Sequence, residues 1–256
     1  MISDRNEKKV ARKAIMDRIS LQRRFLYLKR IFKVRHMDFE FAVWQMIYLF
    51  ISPKKVFRNF SYHQETKRQW ARDDPAFLVL FSGWLFVASI IFSVALALTF
   101  FEFVKLLIWV IFIDCIGFGL LVAGILSFFV NKYLRFPGGE KNKESVEFAY
   151  AFDVHLNAFF PLLIILHIIQ LLYAPLAPHV SQFIGRFFGN SLWLIAFVYY
   201  FYITFLGYSA LPFLRGTVVI LWPLLGIFIF YCISLFFNSL TFSVMIINFY
   251  HHRVAG

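Results

Sequence analysis

The chain has 256 residues, of which 61% are hydrophobic, and it carries 26 Lys and Arg against 14 Asp and Glu. Soluble proteins are about 45–50% apolar with Gly counted, so this chain has too little polar surface for a soluble domain and too many apolar groups for a disordered one. The two cysteines, Cys115 and Cys232, lie within apolar runs, which excludes a disulfide-stabilised secreted scaffold. The class that remains is a multipass membrane protein.

The first 75 residues are strongly basic, with 18 Lys and Arg against 8 Asp and Glu. Apolar residues recur at helical spacing among the basic ones in residues 5–35, and residues 38–51 form an apolar stretch too short to cross a bilayer. Both stretches predict amphipathic helices that lie on the cytosolic leaflet. Three roles stay open for them: a positively charged lipid anchor, a docking surface for a cytosolic trafficking factor, and an RNA-binding surface.

Five later stretches are long and apolar enough to cross a membrane as helices, which need about 20 such residues. A sixth stretch, Leu240–Tyr250, is too short to cross and is predicted to lie at the interface. The predicted spans are Ala76–Phe101, Val104–Val130, Leu156–Tyr173, Ile184–Leu206 and Thr217–Phe237.

The distribution of positive charge predicts the orientation, because Lys and Arg in short flanking segments stay in the cytosol. With the N-terminus in the cytosol, segments 1–75, 131–155 and 207–216 hold 23 of the 26 Lys and Arg. The sequence therefore predicts an all-α membrane protein: a cytosolic N-terminal region with amphipathic helices (1–75), a bundle of five transmembrane helices (76–250) and a luminal tail (251–256).

Ionisable residues inside a span are costly and point to a functional hypothesis. At 1.5 Å per residue, Asp114 lies about 15 Å and His167 about 12 Å from the luminal ends of two antiparallel spans. We therefore expect the two side chains to be neighbours, with Tyr199 or Tyr200 of the fourth span beside them.

A second polar group stands at the start of the third span. Asp153 and Asn157 are four residues apart and share a helix face, whereas His155 points elsewhere. Three interpretations stay open for the whole intramembrane set, which is Asp114, Asp153, His155, Asn157, His167 and Tyr199: a network that holds helices together, a metal or proton site, and a pocket for a lipid or small molecule. Spacing brings too few ligands together for a metal site, so no metal and no cofactor are predicted.

Enzyme motifs are weak in this sequence. The run Gly207–Ala210 resembles the serine turn of an intramembrane protease, but a serine nucleophile needs a base within hydrogen-bond reach, and the predicted topology supplies none. The chain has no zinc helix motif, glycine-rich phosphate loop or cysteine cluster. The prediction is a protein that is not an enzyme.

Four runs carry a specific resemblance: Met37–Ala42, Gln69–Phe77, Ala151–Phe159 and Thr204–Phe213. Through them the sequence resembles the UNC-fifty (uncoordinated-fifty) family of Golgi membrane proteins over about residues 25–250. The resemblance implies a five-span ER or Golgi protein with a cytosolic N-terminal region. Members associate with the large guanine-nucleotide exchange factors that activate ARF GTPases and support delivery of pentameric nicotinic receptors. RNA binding and an inner nuclear membrane location are attributed to an animal member.

The resemblance thus implies a non-enzymatic trafficking factor that recruits an ARF exchange factor to Golgi membranes and supports transport to the cell surface. The alternatives are a lipid- or ion-binding protein that uses the intramembrane Asp and His residues, and a membrane-tethered RNA binder. The expected partners are the bilayer, the exchange factor, and receptor cargo or RNA. The docking surface is expected to include the basic loop Lys132–Lys143 and the residues Arg35, Asp38, Glu40, Trp44, Gln69, Trp70, Arg72, Asp73 and Asp74.

Overall fold

A computed structural model describes residues 37–59, 70, 72, 74–136, 145–173, 182–237 and 241–255. Within these ranges the chain forms helices joined by short connections, with no strand. Five helices are long and apolar enough to cross a membrane. In chain order they are α2 (Ala76–Ala95), α3 (Phe100–Tyr133), α4 (Phe148–Tyr173), α5 (Gln182–Ser209) and α6 (Thr217–Ser234). The predicted all-α class with five spans is therefore confirmed.

The helix α4 lies at the centre of the bundle and packs against α3 and α5. Small residues allow this close packing: Ala151 and Ala158 are both 0% exposed. The next helix begins with Gln182, and its Gly207 lies so close to α4 that a Cβ there would come within 2.8 Å of Val154. The helix α4 begins at Phe148, eight residues before the predicted start of the span at Leu156, and His155 in this added part is buried.

The first two spans are joined by a connection of four residues, 96–99. Thr99 forms a capping box at the start of α3, in which its backbone N–H donates to Glu102 Oε2 at 2.7 Å. The prediction carried the first span through Phe101 and began the second at Val104. Hydropathy alone does not locate the turn at residues 96–99, because the residues before and after it are apolar.

A further helix, α1 (Phe39–Ile51), precedes the spans, and residues 53–59 are also helical. Phe50, near the end of α1, packs edge-on against Phe160 of α4 with ring centroids 5.8 Å apart. Phe57, in contrast, lies beside Gly207 at the end of α5. Since Phe160 is seven residues beyond Asp153, α1 enters the bundle by about 10 Å, and the chain then returns.

The packing of α1 against the bundle adds contacts that the prediction for residues 38–51 did not include, and the placement of this stretch on the cytosolic leaflet stays a prediction. The buried face of α1 is Ala42, Gln45, Met46 and Leu49. The opposite face exposes Val43, Ile47 and Ile51 by 44%, 50% and 72%, a stripe suited to contact with lipid. The predicted helix within residues 5–35 lies outside the described residues.

The last helix, α7 (Phe242–Ala255), packs across the end of the bundle against α3 and α5. It buries Tyr250 and Val254, four residues apart, to 4% and 2% exposure. The helix is continuous through residue 250 and includes residues 251–255, whose luminal placement as a tail stays a prediction. The buried pair also shows that this segment belongs to the bundle rather than lying beside it.

The two ends of the bundle differ. We call the end formed by residues 37–42, 70, 72, 74–76, 131–136, 145–153 and 207–217 the basic end. There the connection after α5 pairs with the end of α3, since Arg215 N–H donates to the Leu134 carbonyl at 2.7 Å. Gly216, with a φ of 63°, then turns the chain into α6. The opposite end carries the 96–99 turn and α7.

Candidate functional site

A polar cluster joins α1 to α4 at the basic end. Gln45 Nε2 donates a hydrogen bond of 2.9 Å to Oδ1 of Asn157. The guanidinium of Arg72 donates to the same oxygen. The backbone N–H of Arg72 also donates to Oδ2 of Asp153 at 2.8 Å. We call Gln45, Arg72, Asp153 and Asn157 the junction cluster.

Burial makes the members of the junction cluster depend on one another. Gln45 and Asn157 are 1% and 0% exposed, so water does not satisfy their amide groups. The guanidinium carbon of Arg72 lies 3.8 Å from the centroid of the Phe77 ring. A partly buried guanidinium is stabilised by an acceptor and a ring face together. The cluster therefore holds α1 and the segment before α2 against the centre of the bundle.

Two aspartates connect the starts of α1 and α2. Asp38 caps α1, because its Oδ1 accepts the Phe41 N–H at 2.9 Å. Its own N–H donates to Asp74 Oδ2 at 2.8 Å. The other oxygen of Asp74 accepts the Ala76 N–H at 2.9 Å at the start of α2. Negative charge at both helix N-termini is also favoured by the helix dipoles.

Several predicted docking residues therefore have contacts inside the chain. Asp38, Arg72 and Asp74 hold the fold as just described. The ring of Trp70 packs edge-on against Tyr150 at 6.0 Å, between the segment before α2 and α4.

The other docking candidates differ in exposure. Trp44 is partly buried and stacks on Tyr48 with centroids 4.5 Å apart. Glu40 is exposed on the first turn of α1. Arg35, Gln69, Asp73 and most of the loop Lys132–Lys143 lie outside the described residues.

His155 belongs to a different contact from its neighbours Asp153 and Asn157, as its position on the helix predicted. Its Nδ1 is hydrogen bonded to the Tyr200 hydroxyl of α5 at 2.9 Å. On α3, a Cβ added at Gly119 would lie 2.7 Å from Cδ2 of the same ring. His155 is thus buried where α3, α4 and α5 meet.

A second polar cluster lies toward the opposite end and is formed by Asp114, His167 and Tyr250. The Tyr250 hydroxyl donates to Asp114 Oδ2 at 2.7 Å and lies 3.4 Å from Nε2 of His167. Burial and the neighbouring carboxylate raise the pKa of Tyr250, so its hydroxyl stays a donor. We call these three residues the tyrosine bridge.

The tyrosine bridge partly differs from the sequence prediction. Asp114 and His167 do meet, but through Tyr250 rather than through Tyr199 or Tyr200. The hydroxyl of Tyr199 donates to the Phe50 carbonyl at 3.3 Å, and Tyr200 is bonded to His155. The prediction overlooked Tyr250 and Gln45. The signal for Tyr250 was its spacing of four residues from Val254, which indicates a buried helix face.

Both ionisable residues of the tyrosine bridge lie in π-helical segments. Asp114 is within Val110–Gly117 of α3, and His167 is within Ile164–Ile169 of α4. π-Helical turns inside α-helices are rare and frequently mark functional sites. Their occurrence on two helices at one cluster makes this a candidate ligand site.

A cavity of about 850 Å³ opens beside the tyrosine bridge and Tyr200, between α3 and α6. Its wall is mostly aliphatic and aromatic. A smaller cavity of about 430 Å³ lies at the tip of α1, between residues 50–54 and α5. The larger cavity combines Asp114 and His167 with an apolar wall, whereas the smaller one has Lys54 in its lining.

Two chemical roles raised by the sequence can be compared with the geometry. Among the described residues, His, Cys, Asp and Glu side chains form no group of three or more that would hold a metal ion. The Ser209 hydroxyl lies 2.8 Å from that of Thr217, with which it shares a hydrogen bond. The geometry thus shows a hydroxyl pair at this turn.

Comparison with known proteins shows extensive similarity. The UNC-50 family model matches residues 27–251. The chain is 54% identical over 232 residues to the protein unc-50 homolog of Rattus norvegicus, covering 91% of the chain and 88% of the relative. It is 45% identical over 230 residues to the Drosophila melanogaster homolog, covering 90% and 82%. No solved structure matches the chain.

Proposed function

This chain belongs to the UNC-50 family, and we propose that it is a non-enzymatic trafficking factor of ER and Golgi membranes whose basic end recruits an ARF guanine-nucleotide exchange factor. In this proposal the recruited factor activates ARF on the Golgi membrane and so supports transport of proteins to the cell surface. The N-terminus faces the cytosol and the C-terminus faces the lumen.

Charge supports the cytosolic placement of the basic end. Segments 1–75, 131–155 and 207–216 hold 23 of the 26 Lys and Arg, and such residues are retained in the cytosol. ARF exchange factors are cytosolic proteins that work on the membrane surface. A basic end in the cytosol is therefore the end that such a partner reaches.

The observation that carries the proposal is the junction cluster. It joins α1 and the segment before α2 to α4 through buried hydrogen bonds. A surface fixed in this way binds a partner without the free-energy cost of ordering its side chains and loops. Asp38 and Asp74 add to this by fixing the two helix starts. The basic end is thus a preformed platform.

The experiment needs surface residues that leave the platform intact. Glu40 on α1 and Arg58 in the returning segment are exposed, whereas Arg72 is part of the junction cluster. We expect Glu40→Lys combined with Arg58→Glu to lower proximity labelling of the exchange factor by about fivefold, the effect of losing roughly 1 kcal/mol of contact energy. The labelling enzyme is fused to the N-terminus of the full chain in cells that lack the native protein.

The matched control is Lys105→Glu, which changes an exposed charge at the opposite end. It should leave labelling at the level of the native chain. The proposal is overturned if the double variant, at native abundance and in the Golgi, labels the exchange factor as the native chain does. Equal losses in the double variant and the control would also overturn it, because the contact would then not belong to the basic end.

A further inference from the structure

We propose that the cavity between α3 and α6 binds a membrane sterol, with the sterol hydroxyl at Asp114 and the ring system along the apolar wall. This inference is independent of the exchange-factor proposal, since the cavity lies outside the junction cluster.

The position of the cavity gives access to lipid rather than to water. It lies between two spans, α3 and α6, and residues of α4 and α5 also line it. Leu121 and Ile125, on the α3 wall, are each 58% exposed. Because residues at this level belong to spans, the surrounding medium is the hydrocarbon of the bilayer. A ligand enters such a cavity sideways, from the membrane.

The volume and wall suit a compact apolar body. The cavity measures about 850 Å³, within the range of about 300–1,000 Å³ found for small-molecule sites. Its wall combines aliphatic side chains with aromatic rings, which offer flat faces to a fused-ring system. The aromatic residues of the wall include Phe118, Phe129, Phe159, Trp193, Phe197 and Phe201.

The ionisable groups lie at one end of the cavity, as an amphiphile with a single polar group requires. Asp114 is 19 residues before Tyr133 at the basic end of α3, or about 28 Å along the helix. The helix α3 has 34 residues and is therefore longer than a hydrocarbon layer of about 30 Å. With Tyr133 at one boundary of the layer, Asp114 lies close to the other boundary, not about 15 Å inside it as the predicted span bounds gave. A lipid keeps its hydroxyl at this boundary, since an unpaired polar group is costly in hydrocarbon.

The charge of the lining excludes phospholipid headgroups. The residues that line the cavity include no Lys or Arg, and the one residue with a carboxylate is Asp114. A carboxylate repels a phosphate, whereas it accepts a hydrogen bond from a neutral hydroxyl. Arg253 lies nearby, over the Trp109 ring at 4.9 Å, but it does not line the cavity. The headgroup that fits is a neutral donor.

The hydrogen bonds already made in the lining favour a sterol over a diacylglycerol. Three hydroxyl groups of the lining already form hydrogen bonds. The Tyr250 hydroxyl donates to Asp114, the Tyr200 hydroxyl is hydrogen bonded to His155, and the Thr204 hydroxyl donates to a backbone carbonyl of its own helix at 2.8 Å. The two ester carbonyls of a diacylglycerol would compete for hydroxyls that these bonds engage. A sterol needs one acceptor, and a carboxylate with about four lone-pair sites retains room beside Tyr250.

The test is photo-crosslinking of the purified full chain in phosphatidylcholine nanodiscs with a photoreactive, alkyne-tagged cholesterol. We expect saturable labelling that maps to peptides of α3 and α6. Leu121→Trp fills the cavity and should reduce this labelling by about tenfold, the effect of losing roughly 1.4 kcal/mol of binding energy. Leu225→Trp is the matched control, because Leu225 is a 69% exposed residue of α6 outside the cavity lining.

Competition identifies the ligand chemistry. Excess cholesterol should displace the probe, whereas its methyl ether, which lacks the donor, should compete about tenfold more weakly. Equal labelling of the two Trp variants, or equal competition by phosphatidylcholine, would mean contact with bulk lipid only and overturn the proposal. Displacement by diacylglycerol but not by cholesterol would overturn the assignment to a sterol.

Discussion

Replacing Asn157 by Leu is the most direct perturbation of the junction cluster. Leu has a similar volume but no acceptor, so the variant removes the oxygen that both Gln45 and Arg72 use. Gln45 would then be a 1% exposed amide without its acceptor, which costs about 1–3 kcal/mol. Hydrogen bonds between membrane helices measure about 0.6–2 kcal/mol each. With two bonds lost, we expect about 2–4 kcal/mol of destabilisation.

The assay is unfolding of the purified chain in detergent, combined with thiol labelling of α1. Ala42 is 2% exposed, so a cysteine there should react slowly with maleimide in the native chain and faster in Asn157→Leu. Gln45→Leu in the same background should restore part of the stability, because both partners are then apolar. The coupling energy should be about 1 kcal/mol.

A distant amide provides the control for this cycle. Asn190 is equally buried but lies on α5, where it donates to Ser234. Gln45→Leu and Asn190→Leu should destabilise additively, since they share no partner. Additive losses of unfolding free energy for Gln45→Leu and Asn157→Leu would refute the dependence of these two amides on one another. The same conclusion would follow if Asn157→Leu left unfolding and thiol labelling unchanged.

Three further predictions concern helix packing, ionisation and orientation. Gly119→Ala places a methyl group 2.7 Å from the His155 ring and should destabilise the chain by about 1–3 kcal/mol. Gly124→Ala is the control, because its methyl group would lie 3.9 Å from the nearest neighbour and should not destabilise. The unfolding midpoints of the two variants are compared. The pKa of Tyr250 is raised in the folded chain, so its neutral form contributes stability that is fully present below about pH 10 and is lost as the pH rises further. The free energy of unfolding of Tyr250→Phe should therefore fall less at alkaline pH than that of the native chain. Alkaline unfolding curves that fall alike for the two chains would contradict this. In sealed membrane vesicles from cells that express the chain without its native cysteines, Arg58→Cys should react with an impermeant maleimide added outside, on the cytosolic side, and Lys105→Cys should not. The reverse pattern would place the basic end in the lumen.

The spans were predictable because hydrophobicity over about 20 residues is a local property of the sequence. The meeting of Asp114 with His167 also followed from local information, since depth along two antiparallel helices is a matter of counting residues. The start of α4 was placed late, at Leu156, because Asp153, His155 and Asn157 read as polar. Their partners are distant in sequence, so no local pattern indicated that they are buried.

The residues that complete each cluster were the hardest to predict. Gln45 is 112 residues from Asn157, and Tyr250 is 136 residues from Asp114. Their contacts depend on how whole helices pack, which one sequence does not display. The contacts of α1 were missed for the same reason: the apolar character of this stretch shows that it needs an apolar neighbour but does not name Phe160 or Tyr199 as that neighbour.

The separation between Gln45 and Asn157 also sets an order of events during synthesis. The ribosome adds about 5–20 residues per second, so α1 emerges roughly 6–22 seconds before its acceptor is made. Throughout that interval the Gln45 amide needs water or a chaperone. The contact between α1 and α4 is therefore a late step of biogenesis, completed only after Asn157 has been synthesised.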